Sequence, residues 1–65
     1  MRIRDCVGYV TPGTYNIGFI NSEGRDDETQ FDANEYNELV ELWEDFCMEN
    51  GFQYDSVTYV EKVEE

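Results

Sequence analysis

The side chains able to do chemistry are unevenly chosen: 16 Asp or Glu, two Cys and no His in 65 residues. Lacking histidine, the chain has no usual general base, no usual activator of a nucleophile and none of the commonest transition-metal ligand. Cys6 and Cys47 stand far outside the CxxC spacing of zinc and redox sites, so each is expected as a buried thiol, with a disulfide between them as the alternative. Gly8, Gly13, Gly18, Gly24 and Gly51 fit neither GxGxxG nor a P-loop, and Gly8 and Gly18 are expected instead to admit a closely packed neighbour. Asp26, Asp27, Glu28 and Asp32 would attract a divalent cation, but an EF-hand loop needs glycine at its sixth position. Counted from Asp26 that position is Phe31, and a frame started at Asp32 places Tyr36 at the fifth. At most a weak, non-specific association with calcium or magnesium is open to these acids; no metal site and no cofactor is expected, and a carboxylate-pair hydrolase would need a deeper cleft than so small a body offers. The chain reads as a binding protein and not an enzyme.

What remains is charge. Four Lys or Arg leave a formal net charge of −12, more self-repulsion than solubility requires. Between Asp26 and Glu61 lie twelve acidic residues and neither Lys nor Arg. At 100° per residue, Glu38, Glu41, Glu44, Asp45 and Glu49 fall opposite the apolar face of a helix, with Glu35 beside that face. Like charges at this spacing cost a few tenths of a kcal/mol per pair, and Glu44, Asp45 and Glu49 sit toward the negative end of the helix dipole. Such a sacrifice of local stability points to a basic partner. A solvated surface in a setting that favours acidic proteins, such as a halophilic one, is the competing explanation. Glu35, Glu38, Glu41 and Glu44 step about 4.5 Å apart along the axis. One duplex strand presents a phosphate per roughly 3.4 Å, so a Lys- and Arg-lined groove built for nucleic acid fits this surface. The candidate contacts are therefore Glu38, Glu41, Glu44, Asp45 and Glu49, extended by Asp26, Asp27, Glu28 and Asp32. Met48 falls off the apolar face among the acids as a further contact, and Tyr15 and Tyr54 are candidates to flank an interface.

The elements that must position these residues make one domain. A chain of this length buries about 60% of its unfolded surface, so its core is small. An apolar fraction of 40% with ten aromatic residues nevertheless separates it from a disordered acidic tail. Arg2 to Val10 reads as a first strand with Ile3, Val7 and Tyr9 on one face; Pro12-Gly13 as a tight turn; and Thr14 to Asn21 as the second strand of a hairpin through Tyr15, Ile17 and Phe19. Ser22-Glu23-Gly24 is another turn, and Arg25 to Gln30 reads as a loop in preference to a short edge strand. A helix is expected from near Ala33 to Asn50, capped by Asp32 with Glu35 as its capping-box partner and stapled by Phe31 on Tyr36. Asn50-Gly51 is its left-handed stop, with Phe52 folding back on Cys47. Tyr36, Leu39, Val40, Trp43, Phe46 and Cys47, with Leu42 at the margin, form its apolar face, and Trp43 belongs in the core. Tyr54 to Val63 is the last strand, through Val57, Tyr59 and Val63. The expected class is α+β: a small antiparallel sheet in the order β-β-α-β, its last strand beside its first, with one amphipathic helix on one face.

In size, acidity, small sheet and a single helix with an unneutralised Glu and Asp face, the chain resembles phage-encoded nucleic-acid mimics, particularly anti-CRISPR proteins. The resemblance covers the whole chain in type and brings no motif, so no site residue comes from it. It implies a stoichiometric inhibitor whose carboxylates occupy the positive channel of a CRISPR effector. The alternative is an acidic adaptor or antitoxin-like protein that neutralises a different basic protein, with exposed tyrosines carrying the specificity. Neither reading involves direct nucleic-acid binding. Met1 to Cys6 is not followed by the apolar run of a signal peptide and no segment approaches a membrane span, so a cytoplasmic protein is expected, in the host cell if phage-encoded, with no membrane partner. A monomer is expected, although the edges of a small sheet leave dimerisation open.

Overall fold

The structure, a computed structural model, describes residues 1–63. Its elements run α1 (Ile3–Cys6), β1 (Gly13–Ile20), β2 (Asp26–Ala33), α2 (Tyr36–Asn50) and β3 (Val57–Val63). The strands form one antiparallel sheet in the order β2-β1-β3, and α2 packs on one face of it. The α+β class, the β-β-α-β succession and the helix on one face are as expected. The segments that occupy two of the three strand positions are not.

β1 is the central strand and the reason the fold closes. Its alternation sends Tyr15, Ile17 and Phe19 toward α2, where all three are buried against Leu39, Trp43, Cys47 and Val57. Phe19 is the hub: its ring centroid lies 5.3 Å from Trp43, 5.6 Å from Phe46 and 5.0 Å from Phe52. Tilted and edge-on aromatic contacts of this kind add to the burial itself, which matters in a core this small. Trp43 is buried as expected, and its indole N–H donates to the Tyr54 carbonyl at 3.0 Å. The helix stops where its residues dictate. Gly51 adopts φ +74°, and the Phe52 N–H reaches back to the Cys47 carbonyl at 3.0 Å, closing a Schellman turn.

The expected first strand is absent. Ile3–Cys6 is a single helical turn in which the Asp5 carboxylate accepts the Arg2 N–H at 3.0 Å. Ile3 and Val7 are four residues apart, a spacing that suits a period of 2 and one of 3.6 equally. Tyr9, placed on the inward face by alternation, is 79% exposed. At Thr11 the Tyr15 hydroxyl accepts the backbone N–H at 2.9 Å and donates to the carbonyl at 2.7 Å, occupying the groups a strand would need for its ladder. Pro12-Gly13 therefore joins no hairpin; Gly13 opens β1. Cys6 is half-buried and Cys47 buried, both as free thiols.

The segment read as a loop, Arg25 to Gln30, is instead mostly strand. β2 pairs with β1 along its whole length, from Ile20↔Asp26 to Gly13↔Ala33, and Asn21–Arg25 is the hairpin turn. The inward residues Thr29, Phe31 and Ala33 supply the alternation, while the acids lie on an edge strand where solvation is cheap. Extending β2 to Ala33 removes Asp32 from the helix cap. α2 begins at Tyr36, its N-cap residue Glu35 makes no side-chain cap, and the capping carboxylate is Glu38, which accepts the Asn34 N–H at 3.0 Å. Phe31 does not staple to Tyr36 but meets Phe46 edge-on at 5.8 Å, because a strand residue points at the middle of the helix above it.

β3 begins at Val57, three residues later than expected, and contains a bulge. Phe19 pairs with Val57 and Gly18 with Tyr59, so the ladder shifts by one residue. Val57 is buried and Tyr59 is 40% exposed, although both were expected on one face: the extra residue reverses the alternation. Tyr15 is buried and leaves the interface candidates, whereas Tyr54 and Met48 are exposed. A Cβ on Gly18 would lie 2.0 Å from the Tyr59 ring, so Gly18 does admit a close neighbour; Gly8 has none within 4 Å.

Candidate binding surface

Two rows of carboxylates arise from these elements, and they face away from each other. The first lies on the sheet. In β2, Asp26, Glu28 and Asp32 share a face with Gln30, opposite Ile20, Gly18, Thr14 and Asn16 respectively. This is the face that α2 does not cover. Its acids are held in place by neutral donors: the Thr14 hydroxyl donates to Asp32 at 2.5 Å, and the Tyr59 hydroxyl donates to Glu28. Between them the Gln30 amide donates to Asn16 at 2.8 Å. Glu61, opposite Asn16 on β3, joins this face and was missed as a site residue. So was Tyr59, because only the bulge turns it outward. The Glu28 carboxylate accepting its hydroxyl, with burial and the charges of Glu61 and Asp26 behind it, holds the Tyr59 phenol above its ordinary value.

Asp27 has the opposite parity and lies across from Phe19 at the hairpin end of the sheet, exposed, with its carboxylate accepting the Glu28 N–H at 2.8 Å. It stands at the rim of the uncovered face, where it lines a shallow hollow with Asp26, Glu28, Thr58 and Tyr59.

The second row lies along α2. Leu39, Trp43 and Cys47 fix the buried side of the helix, which leaves Glu41, Asp45, Met48 and Glu49 exposed on the far side. Two of the expected contacts are withdrawn from it. Glu38 turns back to cap the helix and is half-buried. Glu44 follows Trp43 by one residue, about 100° around the axis, and so flanks the core. There it lines a cleft with Arg2, Arg4, Tyr36, Val40, Trp43 and Tyr54. Burial, and secondarily the Glu44 charge, push the Cys47 thiol up to about 11, which makes it unreactive at neutral pH.

The nine candidate residues therefore do not form one surface. Asp26, Glu28 and Asp32 are brought together on the sheet; Glu41, Asp45 and Glu49 on the helix; Asp27, Glu38 and Glu44 lie between. Among the described residues no group of three or more His, Cys, Asp or Glu is arranged to hold a metal ion, and no helix is long and apolar enough to cross a membrane. Compared with known proteins, the chain matches no family model, no curated protein and no solved structure.

Proposed function

We propose that this chain is a stoichiometric, non-catalytic inhibitor that occupies a basic, nucleic-acid-binding protein surface by presenting carboxylates where phosphates would lie. The target that its resemblance in type suggests is a CRISPR effector in the cytoplasm of a bacterial host. The observation that supports this reading is the pair of acidic rows on opposite faces of a slender body, 31 × 19 × 19 Å along its principal axes. A duplex too carries negative charge on opposite sides and is of comparable width, so a cationic channel that grips a duplex meets carboxylates on both walls when this molecule enters. Release of counterions and electrostatic steering then drive association as they do for nucleic acid. On the sheet, Asp32 and Glu28 are already oriented by Thr14 and Tyr59, which lowers the entropy lost on binding.

The test is a pull-down with tagged protein from lysate of a CRISPR-bearing bacterium, washed at rising salt and competed with duplex DNA. A nucleic-acid-binding protein released by both salt and DNA is the expected result. A partner indifferent to both would reject charge mimicry and favour the second reading, an acidic adaptor or antitoxin-like protein. The observation on that side is the 71% exposure of Met48 and the 79% exposure of Tyr9, apolar surface of the kind that gives interfaces their specificity.

A further inference from the structure

One apolar patch is set inside the acidic surface. At the C-terminal end of α2, Met48 and Tyr54, 71% and 42% exposed, line a shallow pocket with Cys47, Gly51, Phe52 and Gln53. The Schellman turn shapes it: by folding the Phe52 backbone back onto the helix, it leads Tyr54 to the same pocket as Met48. No Lys or Arg lines the pocket, and exposed Glu49 and Asp55 adjoin its two apolar side chains in the chain, although on its other side Tyr54 borders the cleft that Arg2 and Arg4 line. An exposed apolar centre among charged neighbours is the anatomy of an interface hot spot, in which the rim excludes water and the centre holds the partner. Methionine suits this role because its flexible, polarizable side chain moulds to what it meets.

The charge around the patch selects its occupant. A second copy of this chain would bring another −12 to the same place, so self-association there is opposed. A cationic surface is favoured.

We propose that the Met48–Tyr54 patch is an anchor pocket for one apolar side chain displayed among lysines and arginines on a partner protein. The proposal rests on the reading of the chain as a binder of basic surfaces and adds to it a point of specificity that no nucleic acid would need. It also assigns the helix, and not the uncovered sheet face, as the side where recognition is decided.

The experiment uses two synthetic probes, a nine-residue oligo-arginine peptide and the same peptide with leucine at its centre, titrated into isotope-labelled protein at low salt and followed by NMR. The leucine peptide is expected to bind about tenfold more tightly, the effect of partly burying one large aliphatic side chain, and to shift the Met48 methyl resonance. Met48→Ser, a surface change that leaves the Trp43 environment intact, should make the two peptides equal while both still bind. Equal affinities in the unaltered protein, with shifts spread over the carboxylates and the Met48 methyl unmoved, would overturn the anchor and leave charge recognition standing. Failure of both peptides to bind at low salt would overturn the anchor together with the reading on which it rests.

Discussion

The Tyr59 ring covers Gly18 and its hydroxyl donates to Glu28, so residues on both outer strands meet over the central one. The contact exists because β1 offers no side chain at that point and because the bulge turns Tyr59 outward. In Gly18→Ala the new Cβ would fall 2.0 Å from the ring, which must swing away. We expect a loss of about 1 kcal/mol or more by urea unfolding, the usual result of forcing a carbon into filled space. Alkaline titration followed by phenolate absorbance should show a component raised above the ordinary phenol value, and that component should return toward it in Glu28→Gln.

Cys47 gives a second alkaline signature. Its thiol is raised from 9.0 to about 11, so folding favours the protonated form. The stability it contributes is complete below pH 9 and is lost as pH rises through about 11. Unfolding free energies measured across this window should fall with pH, and Cys47→Ala should flatten the slope in part, the raised Tyr59 phenol acting in the same direction. At neutral pH a disulfide reagent should modify half-buried Cys6 well before Cys47.

Phe19 touches three aromatic rings at 5.0 to 5.6 Å and is almost wholly buried. Truncation to alanine removes those contacts and leaves a cavity, at a cost of about 3 kcal/mol or more. A domain this small holds only about 3–5 kcal/mol in reserve. Phe19→Ala should therefore be largely unfolded at 25 °C by circular dichroism, with Trp43 fluorescence shifted to that of a solvated indole.

Asp45 stands four residues from both Glu41 and Glu49, in the C-terminal half of α2. Asp45→Lys replaces two repulsions by two attractions and suits the helix dipole. It should stabilise the fold by about 0.5–1 kcal/mol in thermal unfolding at low salt, less in high salt. The same substitution should weaken capture of a basic partner. A variant that gains stability and keeps full binding would remove the helix row from the interface.

How much of this was legible in the sequence follows the range of the interactions. The C-terminal half of α2 was readable because Asn50, Gly51 and Phe52 encode the stop within one turn. Trp43 and Cys47 were readable as core because helical spacing is local. β2 was not, since its outward acids hid the inward alternation of Thr29, Phe31 and Ala33, and only pairing with β1 decides between loop and strand. The bulge in β3 is equally non-local: nothing around Thr58 announces that Tyr59 will face the other way. The site inherits these differences. Its carboxylates stand out by charge but Tyr59 does not, and as a loop Asp26 to Asp32 would have been free to extend the helix row, whereas as a strand Asp26, Glu28 and Asp32 are turned to the opposite face.

The Met1 carbonyl accepts the Val57 N–H at 3.1 Å, and the amino group of Met1 donates to the Asp55 carbonyl at 2.6 Å. β3, which completes the sheet against β1, is thus also the anchor for the first residue of the chain. Until Val57–Val63 is in place the Met1–Val57 bond cannot form and β1 has an open side, leaving α1 only its packing of Ile3 beside Tyr36, Val40 and Trp43 of α2. The domain should consequently be acquired and lost as a unit, with no stable half to accumulate during translation.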